Sequence, residues 1–148
     1  MPLNFKQAKT DKEIKEILDY NIDAFTDSPD FTWDLEGLKK EMKNGWKVFA
    51  VRYKEDEVIA AILIKKAENQ LLTKNTTVKA HHQGLGYNHQ IKDFFELRAR
   101  DLKLDEVHHF CRIDNFRMYS LNESHGYKKL NESSSPDKQV VEWIKYLD

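Results

Sequence analysis

The chain has a single cysteine, Cys111, so it cannot form an internal disulfide and a disulfide scaffold is excluded. Three prolines and five glycines in 148 residues exclude collagen-like and low-complexity architectures. No apolar run approaches the roughly 20 residues of a membrane-spanning helix. Met1 to Lys6 holds no apolar stretch of the secretory kind, so a cytoplasmic location is expected, with no membrane partner. A surplus of one charge is missing too: 24 basic residues stand against 25 acidic ones, a net charge of −1. Nucleic acid is therefore not an expected partner.

What remains is an ordinary globular composition, 40% hydrophobic and 33% charged. It is expected to form one domain, residues 1–148, large enough for a real core. Leu3 to Ala8 alternates as a strand does. Thr10 and Glu13 have the spacing of a capping box, and Ile14, Ile17, Leu18 and Ile22 follow at helical intervals. That helix is expected to reach about Phe25. A second helix is expected from about Thr32 to Asn44, closed by Gly45. Trp46–Tyr53 and Val58–Lys65 read as a hairpin, and the nearly unbroken apolar run of the latter suits a central strand. A further strand leads to Val78.

A long helix follows, about Gly86 to Leu102, with Ile91, Phe94, Phe95 and Leu102 on or near one face. Then come a strand at Glu106–Cys111, a short helix at Asp114–Ser124, and strands at Tyr127–Asn131 and Gln139–Leu147. The order is β-α-α-β-β-β-α-β-α-β-β, an α/β class. Cys111 is expected to be a buried strand residue.

The strand leading to Val78, the glycines Gly84 and Gly86, and the helix after them form a strand–turn–helix unit. Glycines admit close backbone approach, and the first helical N–H groups lack internal acceptors, which favours an anion. A nucleotide P-loop would need Lys-Ser/Thr after the last glycine, where Tyr87-Asn88 stands. A Rossmann fingerprint would need a third glycine and an earlier strand. An ATP-binding regulator is therefore disfavoured.

Gln83-Gly84-Leu85-Gly86-Tyr87-Asn88 resembles the Gln/Arg-x-x-Gly-x-Gly/Ala motif of the GNAT superfamily of N-acetyltransferases. Val78 stands where that family ends its fourth strand. Asn88 departs from the usual Gly or Ala. Downstream, Asn115-x-x-Met118-x-x-Leu121-Asn122-Glu123-x-x-Gly126-Tyr127 is similar to the family's Asn-x-x-Met-x-x-Ile/Leu-Asn-Glu-x-x-Gly-Phe block. The element order is also that of the GNAT-like fold, a single mixed β-sheet flanked by helices.

The resemblance implies acetyl-CoA as cosubstrate. Thr76, Thr77 and Val78 would line the pantetheine arm, and the N–H groups of Gln83, Gly84, Leu85, Gly86, Tyr87 and Asn88 would hold the pyrophosphate. Asn115 would lie beside the pantetheine, and Asp114 is expected to be the better cap of the helix that follows. Asn122 replaces the tyrosine often assigned as general acid. An amide cannot protonate a thiolate, so Tyr119, three residues earlier on the helix, is the possible substitute. Glu68, His81 and His82 are the candidate bases, since an amine near pKa 10 must lose a proton before it attacks. Acids and aromatics from Phe25 to Glu36, including Asp27, Asp30, Phe31, Trp33 and Asp34, suit either a cationic acceptor or a solvated helix start.

The six histidines include no His-x-x-x-His pair, and Cys-x-x-Cys is absent, so no metal is expected. The expected activity is acetyl transfer from acetyl-CoA to an amine-bearing small molecule or peptide, by direct attack in a ternary complex. The alternative is a catalytically degenerate CoA-binding or interaction domain of the same fold. A homodimer is possible.

Overall fold

The computed structural model describes residues 3–19, 34–54, 57–75, 86–133 and 140–147. The elements follow the expected order: β1 (Asn4–Ala8), α1 (Asp11–Leu18), α2 (Leu35–Lys43), β2 (Lys47–Tyr53), β3 (Glu57–Ala67), β4 (Gln70–Asn75), α3 (Tyr87–Asp101), β5 (Glu106–Arg112), α4 (Phe116–Ser124), β6 (Lys128–Ser133) and β7 (Val140–Tyr146). Seven strands form one sheet in the order β1-β2-β3-β4-β5-β7-β6. Every neighbouring pair is antiparallel except β4 and β5.

Local chemistry sets the element ends. Thr10 and Glu13 make the reciprocal capping box that starts α1. The Asp34 carboxylate accepts from the Gly37 N–H at 2.7 Å, so α2 starts later than its apolar spacing suggests. The helical stretch of α1 ends at Leu18 with Asp19 as its C-cap. Residues 20–33, including Phe25, Asp27, Asp30, Phe31 and Trp33, lie outside the described residues. β3 is buried continuously from Val58 to Ile64, as an interior strand must be. It runs on to Ala67, which leaves a tight turn at Glu68-Asn69.

Two expectations are corrected. The buried face of α3 ends at Ala99, and Leu102 lies past the helix and is 38% exposed. Asp114 is not the cap of α4. The helix begins at Phe116, so the cap position falls on Asn115, whose side-chain oxygen accepts from the Met118 N–H at 3.2 Å. Asp114 instead accepts from the Arg112 guanidinium at 3.1 Å, which holds its pKa below the usual value.

The sheet has a core on each face. α3 and α4 cover one, where Tyr87, Ile91, Phe95, Ala99 and Met118 meet Ile62, Leu71, Val107, Cys111, Val141 and Trp143. Cys111 is buried as expected. α1 and α2 cover the other, where Ile14, Ile17 and Leu38 meet Val48, Ala50, Ala61 and Leu63. Burying such side chains stabilises the fold by about 1.5–3 kcal/mol each before the entropy cost of ordering the chain.

Candidate functional site

An early end to one ladder opens a gap in the sheet. The β4–β5 ladder runs from Gln70↔Glu106 to Thr73↔His109 and stops. Beyond it β4 continues on β3 to Asn75, while β5 continues on β7 to Arg112. The two strands diverge, and backbone groups on their facing edges leave the ladder. Such groups need other partners.

Thr73 and His109 form the last closed rung. The Thr73 hydroxyl donates to the His108 carbonyl at 2.7 Å, so toward His109 Nδ1, 3.1 Å away, it acts as acceptor. That fixes the proton on Nδ1 and leaves the Nε2 lone pair pointing inward. Nε2 is buried and has no partner among the described residues. Burial, with the Lys92 charge adding to it, holds His109 well below the ordinary imidazole pKa, so the ring is neutral. The sequence reading missed His109 because its neighbours in the sheet are distant along the chain.

α3 begins beside this region in a way the other helices do not. Its N-cap, Gly86, is left-handed, with φ 81° and ψ 8°, and no side chain caps it. The other described helices are capped by Thr10, Asp34 and Asn115. The first turn of α3 has no acid, whereas α1 has Asp11 and Glu13 there and α2 has Glu36. The positive end of the helix dipole is thus uncompensated by its own side chains. A Cβ on Gly86 would meet no described atom within 4 Å. The Tyr87 side chain belongs to the core, 8% exposed and 5.9 Å from the Tyr53 ring, so only its backbone is available for binding. Asn88 is half-buried in the same turn. Thr76, Thr77, Val78, His81, His82, Gln83, Gly84 and Leu85 lie outside the described residues.

β5 leads through a short turn into α4, which carries the other candidates. Asn122 is fully buried, and neither atom of its amide has a partner among the described residues. Its backbone carbonyl accepts from the Tyr127 N–H at 2.9 Å. Tyr119 is committed elsewhere: its hydroxyl donates to the Ile113 carbonyl at 2.8 Å. Its ring packs edge-on against Trp143 and Phe116. Burial is the main cause of its raised pKa. A proton held by a local carbonyl on a weakened acid is poorly placed for transfer. Asn115 likewise spends its oxygen on the α4 cap.

Glu68 is not brought to the gap. It is exposed in the β3–β4 turn with φ 56°. The gap opens past Thr73, roughly 17 Å away at strand rise. Asp34 caps α2 and Glu36 lies in its first turn, the solvated-helix-start reading of those acids.

On the opposite face of β5 from α3, His108 is clamped between two carboxylates. Nδ1 lies 2.5 Å from Glu142 and Nε2 lies 2.9 Å from Glu106. Burial pulls this ring's pKa down, but hydrogen bonds and charge from Glu142 and Glu106 outweigh it, and the net shift is upward. A raised imidazole pKa contributes stability that is fully present below the unfolded value of about 6.5 and is lost as pH rises through the folded value. His109 and His125, shifted down, act with the opposite sign. The expected result is that wild type exceeds His108→Gln in stability at pH 6 by a margin that shrinks toward pH 8. Urea denaturation across that range checks it; a constant margin would mean His108 is not charged in the fold.

The mixed sheet, with its one parallel pair parting at Thr73 and His109 and its helices on both faces, defines the GNAT acetyltransferase fold. The chain has that fold along essentially its whole length. An acetyltransferase from Thermus thermophilus superposes with a TM-score of 0.76 at 11% identity, covering 99% of this chain and 98% of that one. The ribosomal-protein-S18-alanine N-acetyltransferase from Escherichia coli gives 0.74 at 11% identity, covering 97% and 93%. A GNAT family acetyltransferase from Elizabethkingia anophelis with acetyl-CoA bound gives 0.67 at 12% identity, covering 98% of each. No protein-family model matches the sequence, and no curated protein matches it. No helix among the described residues is long and apolar enough to cross a membrane.

Proposed function

We propose that this chain binds acetyl-CoA at the β4–β5 gap and transfers its acetyl group to an amine. The observation that carries this reading is the start of α3. On a GNAT fold, it alone of the described helices begins at a left-handed glycine with neither a capping side chain nor a first-turn acid. A pyrophosphate there gains backbone N–H donors and the helix dipole. The pantetheine arm then runs along the strand edges that part beyond Thr73 and His109, as a short extra strand would.

In the reaction, the neutral amine attacks the thioester carbonyl. The tetrahedral intermediate collapses, the C–S bond breaks, and the nitrogen loses its proton to solvent or a base. The thiol of the leaving CoA has a pKa near about 8.5, so it departs as thiolate and takes a proton from water. The Asn122 amide contributes a hydrogen bond, not a proton.

The occupant of the acid position favours a second reading. With an amide at residue 122 and the Tyr119 hydroxyl tied to Ile113, a CoA-binding domain without turnover is also consistent with the geometry. Thermal unfolding with acetyl-CoA, and with ATP as control, tests the shared part. At a hundredfold excess over Kd, acetyl-CoA is expected to stabilise by about 2.7 kcal/mol. No shift with acetyl-CoA, or an equal shift with ATP, removes both readings. Release of free CoA thiol with a panel of amines then separates enzyme from binding domain.

A further inference from the structure

The proposed reaction makes no use of a polar cluster where α3 meets the end of α4. His89, Asp93 and Glu96 stand at i, i+4 and i+7 on α3 and so share one face. His125, the C-cap of α4, packs against that face. One ligand atom each from Asp93, Glu96 and His125 lies within 4.8 Å of the others. His89 Nδ1 stands 2.7 Å from His125 Nε2. His125 Nδ1 is 3.8 Å from one Glu96 oxygen, and Lys145 of β7 holds the other at 2.5 Å. The His125 and Glu96 side chains are only 11% and 17% exposed.

We infer that Asp93, Glu96 and the Nδ1 of His125 form a binding site for a divalent first-row transition ion of the zinc class, tying α3 to the end of α4. A proton on His125 Nε2, shared with His89 Nδ1, leaves the lone pair of the His125 ring on Nδ1, toward Glu96. An ion on that nitrogen is met by the Asp93 and Glu96 carboxylates, while His89 orients the ring from its other side.

The imidazole nitrogen favours zinc and its neighbours over calcium or magnesium, which take oxygen ligands. Lys145 occupies one Glu96 oxygen and fixes that carboxylate while the other remains toward His125. His125 comes from another helix, 36 residues from His89, so no short spacing motif reveals the set.

The test uses the full chain without a polyhistidine tag. Zinc titration by calorimetry is expected to give one strong site per chain. Cobalt is expected to give the intense visible bands of a four-coordinate ion. His125→Gln, and independently Asp93→Asn at an exposed position that does not endanger folding, should each weaken zinc binding by more than about tenfold. His108→Gln, on the other face of the sheet, should not. Absence of a one-to-one site in the wild-type chain overturns the proposal. So does zinc binding that survives either ligand substitution. Neither outcome bears on acetyl-CoA binding, which needs none of these side chains.

Discussion

Gly86→Asn is expected to weaken acetyl-CoA binding by more than about tenfold, or about 1.4 kcal/mol, while leaving the stability of the free protein nearly unchanged. Two observations combine here. Gly86 is held at φ 81°, where most side chains are strained but asparagine is tolerated. The space a Cβ would enter contains no described atom within 4 Å. A side chain there costs the free protein little and intrudes where the pyrophosphate would lie against the first N–H groups of α3. Gly86→Val is the contrasting variant. A β-branched residue in the left-handed region adds backbone strain of about 1–2 kcal/mol, so it should lose stability and binding together. Calorimetric titration with acetyl-CoA, beside urea denaturation of each free variant, separates the two effects. Acetyl-CoA affinity of Gly86→Asn within about threefold of wild type would remove the start of α3 as the phosphate site.

The elements were legible because their signals are local. The capping box at Thr10 and Glu13 and the apolar run of β3 each lie within one short window, and both appear in the structure. The GNAT architecture was legible because the motif residues and element order agree across the chain. What escaped depends on pairing between distant segments. β7 inserts between β5 and β6, although β6 precedes it in sequence. The β4–β5 gap begins where the ladder ends at Thr73↔His109, with nothing in either strand to mark it.

Side-chain surroundings were hidden for the same reason. Glu68 satisfies a chemical requirement for a base, but the β3–β4 turn holds it at the closed end of the ladder. Asp114 is as good a capping residue as Asn115, and only where β5 ends decides between them. His108 takes its partner Glu142 from a strand 34 residues on, and no spacing rule announces such a clamp.

The second large effect is expected at Asn122. Asn122→Leu should raise the stability of the free protein by about 1–3 kcal/mol, the desolvation cost of a buried amide left without partners. In a chain of this length, that amounts to a rise in Tm of about 2–4 °C for each kcal/mol. The substitution keeps the approximate shape and size of the side chain among apolar neighbours such as Met118 and removes two buried polar atoms unpartnered among the described residues. Such an arrangement persists where function needs it at the expense of stability.

The same variant should therefore reduce acetyl-CoA affinity and turnover, because the amide would find its partner in the bound thioester arm. The loss of turnover should stay below about a hundredfold, the lower end of general acid–base catalysis, since a hydrogen bond is lost and not a proton donor. Thermal unfolding without ligand, together with release of CoA thiol at saturating amine, measures both sides. A stabilised variant with unchanged turnover would place Asn122 outside the reaction. A destabilised variant would mean that its amide is already satisfied in the free protein, and the case for its role at the thioester would fall with it.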